Sequence, residues 1–202
     1  MKKHLSKIFI LLNFIFLKEI KSQCTAANIP YQEGFESITI NNQLPACMVA
    51  TGLGSAVTTY TAPASQGRQP ANGNCFAAFA SSVSGTNYIF SRGLNLVAGI
   101  TYSTGFWWTT NYIGSIGWQS LSIMMGVNQN TTSLQILTSI TNPMSGPLQV
   151  LGGTFTVATS GVYYIAIAAT STPGGAPYLS VDDFFVSMPC TVLANQALLT
   201  LS

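Results

Sequence analysis

The chain has 202 residues and a formal net charge of +2, but most of its basic side chains lie near the N-terminus. Beyond residue 22 there is no histidine and no lysine. The charged side chains there are Arg68, Arg92, Glu33, Glu36, Asp182 and Asp183. Two bases and four acids give this part a net charge of −2. Because His and Lys are the usual proton carriers near neutral pH, most acid–base and nucleophilic mechanisms are excluded. So few cations also exclude a nucleic-acid or anionic-membrane surface.

The first 22 residues have the pattern of a secretory signal peptide. Lys2, Lys3 and Lys7 give a basic start, an apolar stretch covers Ile8–Leu17, and a small residue, Ser22, precedes the predicted cleavage. A membrane-spanning helix needs roughly twenty apolar residues, so no membrane span is predicted. The mature protein is expected to be secreted, extracellular or attached to the cell surface.

Short β-branched and aromatic runs alternate with Gly-, Pro- and Asn-rich turns along the remaining chain. Twelve strands are predicted in chain order, near Tyr31–Ser37, Met48–Thr51, Ala56–Thr61, Cys75–Ala80, Tyr88–Ser91, Gly93–Val97, Thr101–Thr109, Ser120–Val127, Ser133–Thr138, Gln149–Phe155, Gly161–Ala169 and Tyr178–Val186. With no helices between them, these strands predict an all-β, two-sheet antiparallel sandwich over residues 23–190. Residues 191–202 are interpreted as a tail that could begin a further domain.

Alternation along these strands separates core positions from outer positions. Tyr102, Thr104, Phe106 and Trp108 are predicted to face the core, as are Leu121, Ile123, Met125, Tyr163, Ile165 and Ile167. Tyr164, Ala166 and Ala168 then form a face of mostly small residues. That face either lies under a neighbouring strand or lines a shallow groove.

The outer side of the Tyr102–Trp108 strand carries the best ligand candidates. Trp107, beside Ser103 and Gly105, would be a flat platform suited to stacking on a sugar ring. The predicted ligand-binding residues are Trp107, Tyr112, Trp118 and Arg92. Alternatively, Trp107 packs under a loop or against the second sheet, and the Arg side chains pair with the acids.

The four cysteines predict two disulfides, because an even count is typical of exported domains. Three pairings are possible, and Cys47–Cys75 with Cys24–Cys190 is favoured because it ties the ends of the domain together. A zinc site is excluded by the lack of CxxC spacing and of histidine.

Four motifs resemble a family of bacterial surface modules. They occur in the same order as in these modules. In chain order they are the opening Ile29–Ser37 with Leu44–Cys47, the segment Leu94–Tyr102 with Phe106–Trp108, the strand Ser160–Ala166 and the closing Leu179–Phe184. In these respects the chain is similar to the MAM-like and cleaved-adhesin jelly-roll domains of secreted Bacteroidetes-type proteins. The resemblance implies a jelly roll of the concanavalin or galactose-binding-like kind. It also implies type IX secretion within a larger multidomain protein.

The resemblance further implies a calcium-stabilised, non-catalytic module that recognises a carbohydrate, a surface protein or a host surface. Glu33, Glu36, Asp182 and Asp183 are the predicted calcium ligands, because the first and last strands of such a sandwich are neighbours. A structural spacer, or an accessory domain of a larger secreted hydrolase, is the alternative. A glycoside hydrolase using these carboxylates is less favoured, because Asp182 and Asp183 are expected on opposite faces of their strand.

Overall fold

The computed structural model describes residues 24–62, 69–110, 118–143, 148–171 and 178–189. The predicted signal peptide, Arg68, Tyr112, Cys190 and the predicted tail lie outside these ranges. The strands are β1 (Tyr31–Glu33), β2 (Val49–Ala50), β3 (Val57–Tyr60), β4 (Phe76–Ala80), β5 (Gly85–Phe90), β6 (Leu94–Leu96), β7 (Thr101–Thr110), β8 (Trp118–Gly126), β9 (Gln135–Thr141), β10 (Gln149–Thr156), β11 (Gly161–Ser171) and β12 (Tyr178–Ser187). Each predicted strand overlaps one of them, and no helix occurs in the described residues.

The strands form two antiparallel sheets, as predicted. Sheet I has the order β10-β7-β12-β4-β3, and β1 pairs with the second half of β12. Sheet II has the order β2-β5-β11-β8-β9, and β6 pairs with the first half of β11. The all-β sandwich is therefore confirmed.

The hydrophobic core lies between the sheets and follows the predicted alternation. Tyr102, Phe106 and Trp108 of β7 are buried there, as are Leu121, Ile123 and Met125 of β8. Ile165 and Ile167 of β11 complete the layer, with Tyr163 partly buried against it. Burying one large apolar side chain contributes roughly 1.5–3 kcal/mol, so this layer supplies the main stabilisation of the fold.

The disulfide joins Cys24 to Cys47, so the predicted pairings Cys47–Cys75 and Cys24–Cys190 are wrong. The reason lies in the segment before β1, which runs beside sheet II. Ala27 N–H donates to Gly93 O, and Asn95 N–H donates to Ala27 O, both at 2.8 Å. This pairing carries Cys24 to the end of the sandwich at which the chain enters β2. Cys75 is a buried free thiol, with its sulfur 3.9 Å from Ile38 O.

Trp118 is buried, so its prediction as a ligand-binding residue is wrong. It begins β8, and strict alternation with Leu121 and Ile123 would turn it outward. The register between β8 and β11 shifts there, because Ser120 pairs with Thr170 while Trp118 pairs with Ser171. This β-bulge inserts one extra residue and turns Trp118 into the core, edge-on to Phe79.

We expect Cys24→Ser to lower the free energy of unfolding by about 3 kcal/mol, because the disulfide closes a loop with a sequence separation of 23. Urea denaturation with and without dithiothreitol measures this. The reductant should destabilise the wild-type protein to the level of the variant and leave the variant unchanged. A wild-type curve that does not respond to the reductant would contradict the assignment.

Candidate functional site

Two acidic side chains meet at the turn formed by residues 71–75. Asp182 Oδ2 accepts the backbone N–H groups of Ala71 at 2.8 Å and Asn72 at 3.2 Å. Glu36 Oε1 accepts those of Asn74 at 2.9 Å and Cys75 at 2.7 Å. The two carboxylates therefore hold successive parts of one turn against sheet I. This convergence depends on β1 pairing with β12, which confirms that the first and last strands are neighbours.

Asp182 is only 2 % exposed, although it lies on the outer side of β12 beside Trp107. Burial raises the pKa of its carboxyl to about 6, while the N–H groups of Asp183, Asn72 and Ala71 act in the opposite direction. Burial also raises the pKa of the Cys75 thiol, and the Glu36 and Asp182 carboxylates add to that rise. The three groups thus form one electronegative neighbourhood.

Asp183 does not point into the core, as strict alternation from Asp182 would require. β12 shifts register between Asp182 and Phe185, and Asp183 has a positive φ of 47° at this irregularity. Its Oδ1 accepts a long hydrogen bond of 3.5 Å from Gln32 Nε2, on the exposed side of β1. The expectation that Asp182 and Asp183 lie on opposite faces is therefore wrong, because the bulge removes Asp183 from the alternation.

Glu33 lies apart from this neighbourhood. Its Oε1 accepts the N–H of Phe35 at 2.9 Å, and its Oε2 accepts the Tyr31 hydroxyl at 3.3 Å. Burial raises its pKa, whereas these two hydrogen bonds and the charge of Arg92 lower it. Arg92 Nη2 donates to Thr25 O at 2.7 Å, so this side chain ties down the N-terminal segment.

The oxygen atoms around the turn are of the type that calcium prefers, and buried Asp182 has a raised pKa that a cation would offset. Within the described ranges, however, no three acidic, His or Cys side chains converge as a metal-holding group. A cation here would therefore need Glu36 and Asp182 together with backbone carbonyls and water. The predicted four-carboxylate set is not assembled, because Glu33 is turned away.

Trp107 lies on the outer face of sheet I, as predicted, and is 39 % exposed. On β10 its partner is Val150, which is 51 % exposed, and the next pair along is Gly105 with Gly152. The Phe185 ring lies against Gly105. If Gly152 carried a Cβ atom, the nearest side-chain atom to it would be a methyl group of Val150, 3.9 Å away. Gly105 is therefore covered by the Phe185 ring and buried, and only Gly152 leaves open backbone on the face of the indole ring.

Only Trp107 of the four predicted ligand-binding residues is found on this face. Trp118 is in the core, Arg92 follows β5 of sheet II, and Tyr112 lies outside the described residues. Val150 and Phe185 also lie on this face and were not predicted as site residues. Val150 could have been found from the alternation of β10, but the position of Phe185 depends on the bulge in β12.

Tyr164, Ala166 and Ala168 lie on the outer face of sheet II, opposite to the side of Ile165 and Ile167. Their neighbours on β5 and β8 include Tyr88, Phe90, Met124 and Ser122. Since β5 and β8 lie beside β11 within the same sheet, this face lies under none of the paired strands.

A cleft of about 420 Å³ opens at one end of the sandwich. Its lining residues are Met125, Gln135, Thr156, Val157, Ala158 and Tyr163. None of them is a carboxylate, so the acids predicted for a glycosidase pair do not line it. In the described part of the chain there is no helix long and apolar enough to cross a membrane.

No protein-family model and no curated protein matches the chain. Among solved structures, the chain is similar to the K1 cleaved adhesin domain of Lys-gingipain from Porphyromonas gingivalis W83, with a TM-score of 0.58 and 15 % identity over 79 % of this chain and 98 % of that one. The K3 domain of the same protein gives 0.55 and 17 %, covering 78 % of this chain and 96 % of that one. The CBM22-2 xylan-binding domain of Paenibacillus barcinonensis Xyn10C gives 0.53 and 16 %, covering 78 % and 98 %. At these identities the likeness concerns the fold, and the described chain has the jelly-roll fold of cleaved adhesin domains.

Proposed function

We propose that this protein is a non-catalytic binding module that recognises carbohydrate through the Trp107 face. The observation that carries the proposal is the exposed indole of Trp107 on the same face as exposed Gly152 and the Phe185 ring that covers Gly105. Aromatic rings next to an exposed glycine offer an apolar surface, and a pyranose ring presents C–H groups that stack on such a surface.

The chemistry around Trp107 favours an uncharged ligand. Four uncharged side chains share the outer face of sheet I with Trp107, namely those of Val150, Phe185, Ser103 and Thr154. The acid that pairs with Trp107 between β7 and β12 is Asp182, and its carboxylate accepts hydrogen bonds from backbone N–H groups. The names of the similar structures, cleaved adhesin and xylan-binding domains, support the same class of function.

An extracellular location within a larger protein follows from the same proposal. The disulfide between Cys24 and Cys47 requires an oxidising compartment, and the N-terminal pattern is that of an export signal. The similar adhesin and xylan-binding structures are themselves single domains of larger proteins.

The module also binds calcium in this proposal, through Glu36 and Asp182, with Asp183 close by on the same side. The supporting observation is that Asp182 is buried, with a raised pKa, beside Glu36 at one turn. A bound cation would compensate these charges and fix the turn of residues 71–75 on sheet I.

Trp107→Ala should weaken binding to neutral glycans at least about tenfold, because a central aromatic contact is commonly worth more than 1 kcal/mol. A glycan array followed by calorimetry on the best ligand measures this. Ile40→Ala, which truncates another exposed apolar side chain at 66 % exposure, is the matched control and should bind like the wild-type protein. Equal binding by both variants would remove the Trp107 face from the proposal.

Calcium at millimolar concentration should raise the melting temperature, and EDTA should reverse the rise. Asp182→Asn should abolish the response, and Glu36→Gln should weaken it. Glu33→Gln is the matched control, because Glu33 faces away from the turn. A titration in which the wild-type protein neither binds calcium nor gains stability would contradict the proposed site.

Without calcium, stability should fall as the pH rises from about 4 to 7. The pKa of Asp182 is about 6 in the folded protein and roughly 3.9 when unfolded, so its proton favours folding fully below about pH 4. That contribution, about 1–3 kcal/mol, is lost as the pH rises through 6. Urea denaturation across this range measures the loss, which should shrink in Asp182→Asn and in calcium but persist in Asp183→Asn. A flat profile for the wild-type protein would contradict it.

A further inference from the structure

The cleft of about 420 Å³ at one end of the sandwich, which we call the end cleft, has one wall on sheet II. Met125 near the end of β8 pairs with Gln135, the first residue of β9, so both lie on the inner side of the sheet. Tyr163 of β11 is partly buried on the same side. This wall therefore offers a thioether, an amide and an aromatic ring.

The other wall of the end cleft follows the end of β10 in sheet I. Thr156 is the last residue of β10, and Val157 and Ala158 come directly after it. Val157 O accepts a hydrogen bond of 3.0 Å from Gly99 N–H, which ties this wall to the turn before β7. The Tyr163 hydroxyl donates to Thr159 O at 2.8 Å, so the ring of the first wall is fixed to the second. The end cleft is thus formed before any ligand arrives.

The size and depth of the end cleft suit one compact group. Its volume lies in the range of about 300–1,000 Å³ that is typical of small-molecule sites. Met125 and Val157 are 7 % and 3 % exposed and belong to the hydrophobic core. Because the cleft ends on core residues, a polymer chain can enter it with one end but cannot pass through it.

The chemistry of the walls selects an uncharged ligand that carries hydroxyl groups. None of the lining residues is charged, so an ionic group would enter without a counter-charge. The Gln135 amide makes no hydrogen bond with another described residue, and a purely apolar occupant would cover it without giving it a partner. A sugar ring presents C–H groups to Tyr163 and Met125 and hydroxyl groups that both donate to and accept from an amide.

We propose that the end cleft is a second binding site, which takes the terminal residue of a neutral glycan chain. The ligand class rests on the proposed function, but the site is separate. Thr156 pairs with Thr101, six residues along β7 from Trp107, which is roughly 20 Å at 3.3–3.4 Å per residue. The Trp107 face can accept an internal sugar residue, whereas the end cleft recognises a chain end.

Adjacent methionines provide the first test, because Met125 lines the end cleft while its neighbour Met124 lies on the outer face of sheet II. We would record the methionine methyl NMR signals of the wild-type protein during titration with the methyl glycosides of xylose, glucose, galactose and mannose. At least one should give a saturable shift of Met125 and leave Met124 unchanged. The methyl glycoside of galacturonate, which is charged, is the control and should shift neither.

A hexasaccharide of the responding sugar tests the recognition of a chain end. It should saturate the Met125 signal at about the same molar concentration as the methyl glycoside, because both offer one terminal residue. A hexasaccharide that leaves Met125 unmoved while the methyl glycoside shifts it would overturn the inference.

Two variants test the walls. Gln135→Ala should weaken the affinity measured at Met125 about threefold or more, because it removes one hydrogen-bonding group from the cleft. Ile136→Ala is the matched control, since Ile136 is the next residue on β9, is 59 % exposed and does not line the cleft. Ala158→Phe fills the cleft from an exposed position and should abolish the Met125 shift. Unchanged Met125 titrations in both Gln135→Ala and Ala158→Phe would overturn the inference.

The Trp107 indole signal separates this inference from the proposed function. If the sugars shift Trp107 but not Met125, the end cleft is overturned as a site and the proposed function stands. If they shift Met125 but not Trp107, the end cleft stands and the Trp107 site falls. If neither signal moves with any of the sugars, both are overturned.

Discussion

The buried carboxylate of Asp182 is the contact on which the arrangement of sheet I depends. It lies on the central part of β12 and accepts backbone N–H groups from Ala71, Asn72 and Asp183. A carboxylate that satisfies backbone donors removes the cost of leaving them unpaired beneath a turn. The turn then covers the outer face of β12, while Glu36 holds its other end through Asn74 and Cys75. At Gly73 of this turn, φ is +64° and a Cβ would collide with Glu36, so the turn requires glycine.

The scarcity of charge determines what the two outer faces can do. With four acids and two bases beyond residue 22, neither face can attract partners over a distance by charge. Recognition therefore depends on ring stacking, hydroxyl groups and the flatness of the sheets. On sheet I this chemistry is provided by Trp107, which shares its face with exposed Gly152 and the Phe185 ring.

Alternation in the sequence was enough to predict twelve strands, the core side of β7, β8 and β11, and the exposure of Trp107. It failed at Asp183, where a bulge changes the period of β12. Trp118 was missed for another reason, because the strand was predicted to begin at Ser120 and β8 begins at Trp118. The disulfide could not be predicted because spacing allows three pairings, and the choice depends on Ala27 pairing beside β6. The convergence of Glu36 and Asp182 was predictable from neighbouring end strands, and Ala71–Asn74 is a turn by its sequence. That this turn donates its N–H groups to both carboxylates was not predictable.

The link between Cys24 and Cys47 changes how the strand pairing at the edge of sheet I can open. β1 pairs antiparallel with β12 from Tyr31 opposite Val186 to Glu33 opposite Phe184, so a chain without the bridge could fray this ladder one bond at a time from its N-terminal side. The covalent bridge encloses β1 and fixes Cys24 beside Cys47, next to β2. The loop containing β1, with Glu33 and Glu36, is therefore closed at both ends. Glu36 can stay at the turn of residues 71–75 even when hydrogen bonds of β1 open transiently.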